Sequence, residues 1–546
     1  MGRTVQTHHR AEARGPTTSA SPTTGPLNPT SPPESDIDTG PLLVGLDVGT
    51  TNVKAVVYTR DGRAVARAMA PTATHVPRPG WAFYRADELW AQAVGVLRAA
   101  LAMVPAPGRV AAVAIASMAE AGVPLDAAGE PTADTIAWYD TRTQPQAARI
   151  ADLVGADALF ARTGLSVQPI FSLCKLLWLR QHEPAAWGRT VRWLHVSDYL
   201  AHRLGGSQAT GHSLASRTMA LDLHARRWDE DILAAVGIDP DLFAPLVPEG
   251  TAIGRVSADA ARATGLPAGA TIAVGGHDHL CGALAAGVVE PGMMLESLGT
   301  TDTVLLPVAR PLTDPQLGRE GYSQGAHVVP GRSYVFGGQY TLGACVEWFR
   351  EAFAGGASYA TLMAEAERVP PGSLGVCFLP HLRLANPPHV DARSRGAFVG
   401  LSTDATRAAL FRAVLEGLAF EARSVTEPLL AYPELAGMHD ARAIGGVTHN
   451  DLLVRLRSTV RNGATHVLDI DEATSLGAAM LGGIGAGVYA DADAAIAALR
   501  YGRHTVAPDA AQVPVYDALY RRVYRHLYPA LAPLSHELVA LLEAGR

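Results

Sequence analysis

A chain of 546 residues, at roughly 150 per folding unit, has room for three or four small domains or two large α/β ones. Lys and Arg total 45 against 52 Asp and Glu, a net charge of −7, and 18% charged against 48% hydrophobic residues argues against a dedicated nucleic-acid binder. No apolar run approaches the ~20 residues that cross a bilayer, so a soluble, cytoplasmic protein without a membrane partner is expected.

The four cysteines, Cys174, Cys281, Cys345 and Cys377, are scattered without a C-x-x-C pair, as expected of free thiols in a reducing compartment. Residues 1–41 lack a secretory signal and carry prolines among Ser, Thr and Gly with little to bury; a disordered tail is predicted. Order is expected from Leu42, where Leu-Leu-Val-Gly-Leu-Asp reads as a buried strand ending in the carboxylate of Asp47. The tight turn Val48-Gly49-Thr50-Thr51-Asn52 follows, then a strand from Val53 to Thr59, the Asp61-Gly62 hairpin signal and a third strand from Arg63 to about Met69. A P-loop or Rossmann fingerprint needs a helix straight after its glycine turn, and the β-branched run beginning at Val53 forbids one.

Helices predicted over 86–101 and 173–182 alternate with strands such as 110–116, the pattern of an α/β protein. The strand 271–277 leads through Gly275-Gly276-His277-Asp278-His279 into a small-residue helix, 280–287. The strand-turn-strand design then returns around Gly299-Thr300-Thr301, with the two Gly-Thr-Thr turns 250 residues apart. Two such units predict two similar domains, 42–287 and 288–546, offering their turns to one cleft. The second half adds an amphipathic helix over 405–424, a helix over 473–486 whose small residues permit close approach, and a helical finish over 515–543.

A Gly-Thr-Thr turn after a strand exposes amides and hydroxyls without bulk, which suits a phosphate oxygen, although the same sequence also makes an ordinary hairpin turn. Asp47, at a strand end beside the first turn, is placed to hold Mg²⁺ directly or through water. Asp278, where a strand passes into a helix, is a candidate base for a substrate hydroxyl; Asp is equally a favoured helix cap, and the two roles are compatible. His277 and His279 form an H-x-H pair with no third metal ligand at useful spacing, so both are assigned to the substrate pocket.

Together these segments resemble the FGGY family of carbohydrate kinases over residues 42 to about 530. The resemblance rests on Asp47-x-Gly-Thr-Thr, Gly-Gly-His-Asp ending at Asp278, the Gly299 turn and Gly445-Gly446, in that order. Lys175-Leu-Leu-Trp178-Leu, Gly396-Ala-Phe-Val-Gly400-Leu and Phe411-Arg-Ala-Val-Leu-Glu416-Gly417 add to it. It implies two actin-like (ribonuclease H-like) ATPase domains closing around ATP, Mg²⁺ and a sugar or polyol, with a homodimer possible. By resemblance Asp47 is the magnesium-associated aspartate, Asp278 the catalytic base, and Gly49, Thr50, Thr51, Gly299, Thr300 and Thr301 the phosphate turns. Gly445, Gly446 and Asn450 resemble the adenosine motif, with Val447 where many members have a third glycine and Arg455 and Ser458-Thr459 where they have Gln and Ala-Asp.

Met118-Ala119-Glu120 lies in register with the family's sugar-binding cluster, and only Glu120 keeps a polar group of the glycerol-kinase kind. The missing Arg argues against glycerol, the missing His against assuming xylulose, and the branch resembled is the xylulokinase-like one. Trp138, Asp140 and Trp81 resemble pocket-lining positions, with core packing as the alternative for the tryptophans and a salt bridge for Glu120. The expected activity is ATP-dependent phosphorylation of a ketose; a catalytically weak nucleotide or sugar sensor of the same fold, or an actin-like ATPase, are the alternatives.

Overall fold

The computed structural model describes residues 40–544, and the expected tail lies, through residue 39, outside them. The first sheet is built from β1 (Leu42–Val48), β2 (Asn52–Tyr58), β3 (Ala64–Pro71), β4 (Val110–Ser117), β5 (Ala252–Arg255) and β6 (Thr271–His277), in the order β5-β6-β4-β1-β2-β3. β1 is antiparallel to β2 and parallel to β4, β4 is parallel to β6, and β5 closes the edge antiparallel. Between these strands lie the helices α1 (Ala86–Leu101) and α2 (Ser172–His182), and after β6 comes α3 (Asp278–Ala285).

The second sheet holds β7 (Met293–Leu298), β8 (Asp302–Val308), β9 (Ser323–Ala326), β10 (Ser333–Gln339), β11 (Asp440–Ile444), β12 (Thr465–Leu468) and β13 (Arg503–Val506). Their order is β9-β10-β8-β7-β11-β12-β13. From β10 to β13 the sequence of antiparallel and parallel pairings repeats that of β3 to β5 strand for strand, with β9 added outside. The duplicated turns thus sit at equivalent corners of duplicated sheets.

Continuous apolar strands follow from covering both faces of a sheet. Leu42, Val44 and Leu46 face a core with Leu89, Val96 and Leu97 of α1, whereas Leu43, Ala112 and Ala114 face Leu476 and Met480. Those last two belong to α7 (Ala473–Gly485), a helix of the second half, which follows α4 (Gly343–Phe353), α5 (Arg407–Leu429) and α6 (Asp451–Arg461). Glycine makes this seat possible: a Cβ on Gly45 would lie 1.7 Å from the Ser475 carbonyl oxygen, and one on Gly477 1.8 Å from that of Cys281. In return Leu280 and Leu284 of α3 share a core with Leu295, Leu305 and Ile444 of the second sheet. The two halves exchange helices, so a cut near residue 287 divides the sequence but not the packing.

The helix expected over 405–424 is observed as Arg407–Leu429, capped by the Thr406 side chain and prolonged because Val425 and Leu429 are buried. The helical finish is broken into Val513–Arg522 and Leu527–Ala544. All four cysteines are free, and among the described residues no helix is long and apolar enough to cross a membrane.

Candidate active site

Both glycine turns close on themselves through the glycine amide, the first spanning three residues and the second two. The Gly49 amide donates to the Asn52 carbonyl at 3.0 Å and the Gly299 amide to the Thr301 carbonyl at 2.9 Å. Thr51, Thr300 and Thr301 are exposed, and none of the amides of Thr50, Thr51, Thr300 and Thr301 donates to protein among the described residues. The Gly299 turn also abuts the start of α4, whose Gly343 amide donates to the Gly299 carbonyl at 3.1 Å. Each corner therefore presents unpaired amides, the requirement for binding phosphate.

Asp47 and Asp278 face each other across the first corner, brought there by the parallel register of β1 with β4 and of β4 with β6. Burial first, and the charge of Asp278 second, push Asp47 up to about 7, with Lys54 opposing. Burial also works against the charge of Asp278, but His279 and His277 outweigh it and hold this carboxylate down to about 2. Its Oδ1 accepts the His279 amide at 2.7 Å and lies 3.2 Å from His277 Nε2. The N-cap of α3 is His277, so Asp278 is the first helical residue rather than the cap, where its charge also suits the helix dipole. Asp47, pushed up chiefly by burial and next by Asp278, and Asp278 itself form a donor set whose charge a divalent cation would neutralise, so the residues fit Mg²⁺.

His277 and His279 meet edge to face at 5.4 Å, and His279 in turn meets Phe336 of β10 at 5.4 Å. Asp278 supplies the third donor that the H-x-H pair lacked in sequence, the three side chains each bringing one ligand atom within 4.8 Å of the others. Both imidazoles flank the Asp278 carboxylate and His279 packs on Phe336, while His277 Nδ1 is buried without a hydrogen-bond partner among the described residues.

Beyond the histidines stands Glu120, buried, with Oε1 accepting from Arg217 Nε at 2.7 Å. Sequence reading missed Arg217, which also donates to Ser323 Oγ at 3.2 Å and lies over Phe171. The salt-bridge alternative for Glu120 is thus realised, inside the protein rather than on its surface.

Asp140 differs from its expectation. Its oxygens accept from the Ala82 amide at 2.6 Å, the Arg142 amide at 2.8 Å and the Arg142 guanidinium, and its side chain has no exposed surface. It shapes the loop rather than offering an acceptor to a sugar. Trp81 packs edge-on against Trp178 and has the guanidinium carbons of Arg78 and Arg142 at 3.6 and 3.9 Å from its ring centroid, so protein cations occupy the ring. Trp138 donates its indole N–H to Thr50 Oγ1 at 2.8 Å and so buttresses the first Gly-Thr-Thr turn.

In the Gly445-Gly446 segment, Gly445 has φ +102 and a Cβ there would sit 2.5 Å from the Leu298 carbonyl oxygen, while Gly446 borders open space. A Cβ on Gly343 would lie 3.2 Å from Val447 Cγ2, so this segment packs closely on the helix start that abuts the second turn. Asn450 is not a free polar support: its Oδ1 accepts from the Leu453 amide at 3.0 Å and caps α6. Arg455 pairs with Glu367.

Comparison with known proteins agrees with this arrangement. The profile of the FGGY family of carbohydrate kinases matches in its N-terminal domain over residues 42–285 and in its C-terminal domain over 294–486. A xylulose kinase of Lactococcus lactis is 27% identical over 506 residues, covering 92% of this chain and 99% of that protein. A glycerol kinase of Ralstonia nicotianae is 30% identical, covering 83% and 91%. The crystal structure of xylulose kinase from Rhodospirillum rubrum superposes with a TM-score of 0.82 at 30% identity, covering 91% of this chain and all of that one. The duplicated sheets and exchanged helices are the two-domain actin-like fold of these kinases, and the chain belongs to the FGGY family of carbohydrate kinases.

Proposed function

We propose that this carbohydrate kinase transfers the γ-phosphoryl group of ATP to a hydroxyl of a ketose, either a pentulose such as xylulose or a hexulose, with Asp278 as general base. The observation that carries the reading is the pairing of Asp47, at about 7, with Asp278, at about 2, beside a turn of unpaired amides. Two carboxylates pushed apart in this way divide the work: one awaits a cation and the other stays ionised to receive a proton. A base this weak suits phosphoryl transfer, whose loose transition state asks chiefly for orientation of the attacking hydroxyl, the proton leaving late.

In this reading residues 42–287 supply most of the sugar and phosphate contacts and residues 288–546 the nucleotide site. The exposed amides at Gly49-Thr50-Thr51 and Gly299-Thr300-Thr301 hold phosphate oxygens. Asp47 holds Mg²⁺, directly or through water; the ion, when bound, neutralises charge on the phosphoryl oxygens. Gly445 and Gly446 give the adenosine a flat backbone wall. Glu120 accepts sugar hydroxyls through the oxygen that Arg217 leaves unused. Xylulose kinases among the relatives favour a ketose, and Ala119 in place of the arginine of glycerol kinases disfavours glycerol.

The test is ADP release with Mg·ATP across ketoses, aldoses and polyols, with Asp278→Ala alongside. A ketose-dependent rate that the variant loses supports the reading. ATP or sugar binding without any sugar-dependent turnover would replace it with a sensor, and turnover indifferent to sugars with an ATPase.

A further inference from the structure

Glu120 occupies a costly backbone conformation. It has φ +59, in the left-handed region that non-glycine side chains avoid, and the Ala121 amide donates to the Ala119 carbonyl at 2.6 Å across it, a γ-turn centred on Glu120. Strain of this kind persists only where surrounding groups over-determine it. Here they come from α2. The turn directs the Glu120 carbonyl oxygen inward, where it accepts from Lys175 Nζ at 2.8 Å and from Ser172 Oγ at 3.0 Å.

Lys175 is fully buried, and its ammonium has no carboxylate partner within ion-pair distance; the Glu120 carbonyl is its one hydrogen-bond acceptor among the described residues. A buried charge normally finds an opposite charge, so an ammonium spent on a main-chain oxygen marks that oxygen as the thing to be held. The Glu120 side chain is held separately by Arg217, whose guanidinium carbon lies 6.0 Å from the Phe336 ring centroid, the ring on which His279 packs.

We propose that Lys175, assisted by Ser172, is a positioning residue for sugar recognition: by clamping the Glu120 carbonyl it enforces the γ-turn that aims the Glu120 carboxylate at Arg217 and at the sugar. This rests on the reading of Glu120 as a sugar contact. Without the clamp the turn relaxes, the carboxylate swings away and sugar affinity falls, whereas the phosphate corners and Asp278 keep their own supports.

Steady-state kinetics of the full chain with Mg·ATP, titrating D-xylulose, test this with Lys175→Met, Ser172→Ala, Glu120→Gln and the two doubles that pair Glu120→Gln with each clamp variant. The expected result is a sugar KM raised about tenfold or more in Lys175→Met and a few-fold in Ser172→Ala, with a smaller loss in kcat and an unchanged KM for Mg·ATP. Each clamp variant should add little to the KM of Glu120→Gln, because the clamp acts only through that side chain. Additive effects in the doubles, or an unchanged sugar KM in Ser172→Ala, would overturn the proposal even if Lys175→Met failed to fold. An unchanged sugar KM in Glu120→Gln would instead remove the underlying reading of Glu120, and absence of D-xylulose turnover by the wild type would exclude xylulose, the titrated sugar then being whichever ketose the wild type turns over.

Discussion

Lys54 on β2 and Glu472 at the start of α7 meet at 2.8 Å across 418 residues of sequence, beside the carboxylate of Asp47. The contact ties the hairpin carrying the first Gly-Thr-Thr turn to the helix that the second half lays on the first sheet. Lys54 lowers the cost of charge on Asp47 and Glu472 raises it, so a structural contact between the halves also tunes the acid proposed to hold the metal.

The first consequence concerns protons. With Asp47 raised to about 7, a substantial share of the free enzyme carries a proton there at neutral pH, which a cation must displace. Binding of preformed Mg·ATP at pH 7 should release about half a proton more in the wild type than in Asp47→Asn. Affinity should weaken as pH falls below 7. Calorimetry in buffers of different ionisation enthalpy measures both, and equal release by the two proteins would count against Asp47.

The helix exchange predicts where a single methyl is intolerable. Gly45→Ala would place a Cβ 1.7 Å from the Ser475 carbonyl oxygen, whereas a Cβ at Gly108 meets nothing within 4 Å. We expect Gly45→Ala to destabilise by about 1–3 kcal/mol or more, and Gly108→Ala to change stability by less than ~0.5 kcal/mol. Urea midpoints of the two variants decide it.

The second corner has its own acids locked away. Buried Arg457 reaches the buried Glu296 at 2.6 Å and Asp302 at 2.8 Å, and the partly buried Arg461 reaches Glu296 at 2.9 Å. Although burial opposes its charge, Arg461 and Arg457 hold Glu296 down from 4.5 to about 2. That contribution to stability is complete above pH 4.5 and is lost as pH falls toward 2. Arg457→Met should cost about 3–5 kcal/mol at neutral pH. Thermal unfolding from pH 7 to pH 3 should show the gap from wild type narrowing with acid; a constant gap would refute the assignment.

Much of this was legible in the sequence because strand-end carboxylates and glycine turns are local signals. Asp47, Asp278 and both Gly-Thr-Thr turns could be picked out from short runs, and the repeated pairing order of the sheets matches the repeated motif. What escaped depends on distant partners. Arg217 meets Glu120 across 97 residues and nothing in Ser216-Arg217-Thr218 announces it. Asp140 turns back on Arg142, two residues away, and so is spent on the loop. Asn450 could have been recognised as a helix cap from its place before Asp451-Leu452-Leu453, a signal the adenosine motif obscured. The small residues of α7 foretold close packing, yet only the fold shows that the partner is the sheet of the other half.

The central claim is that Asp278 receives the proton of the attacking hydroxyl, and single-turnover phosphorylation by Asp278→Asn tests it most directly. We expect sugar and Mg·ATP to bind within a few-fold of wild type while the chemical step slows by about 10²–10⁴. A variant that binds both substrates and phosphorylates the sugar at close to the wild-type rate would contradict the account.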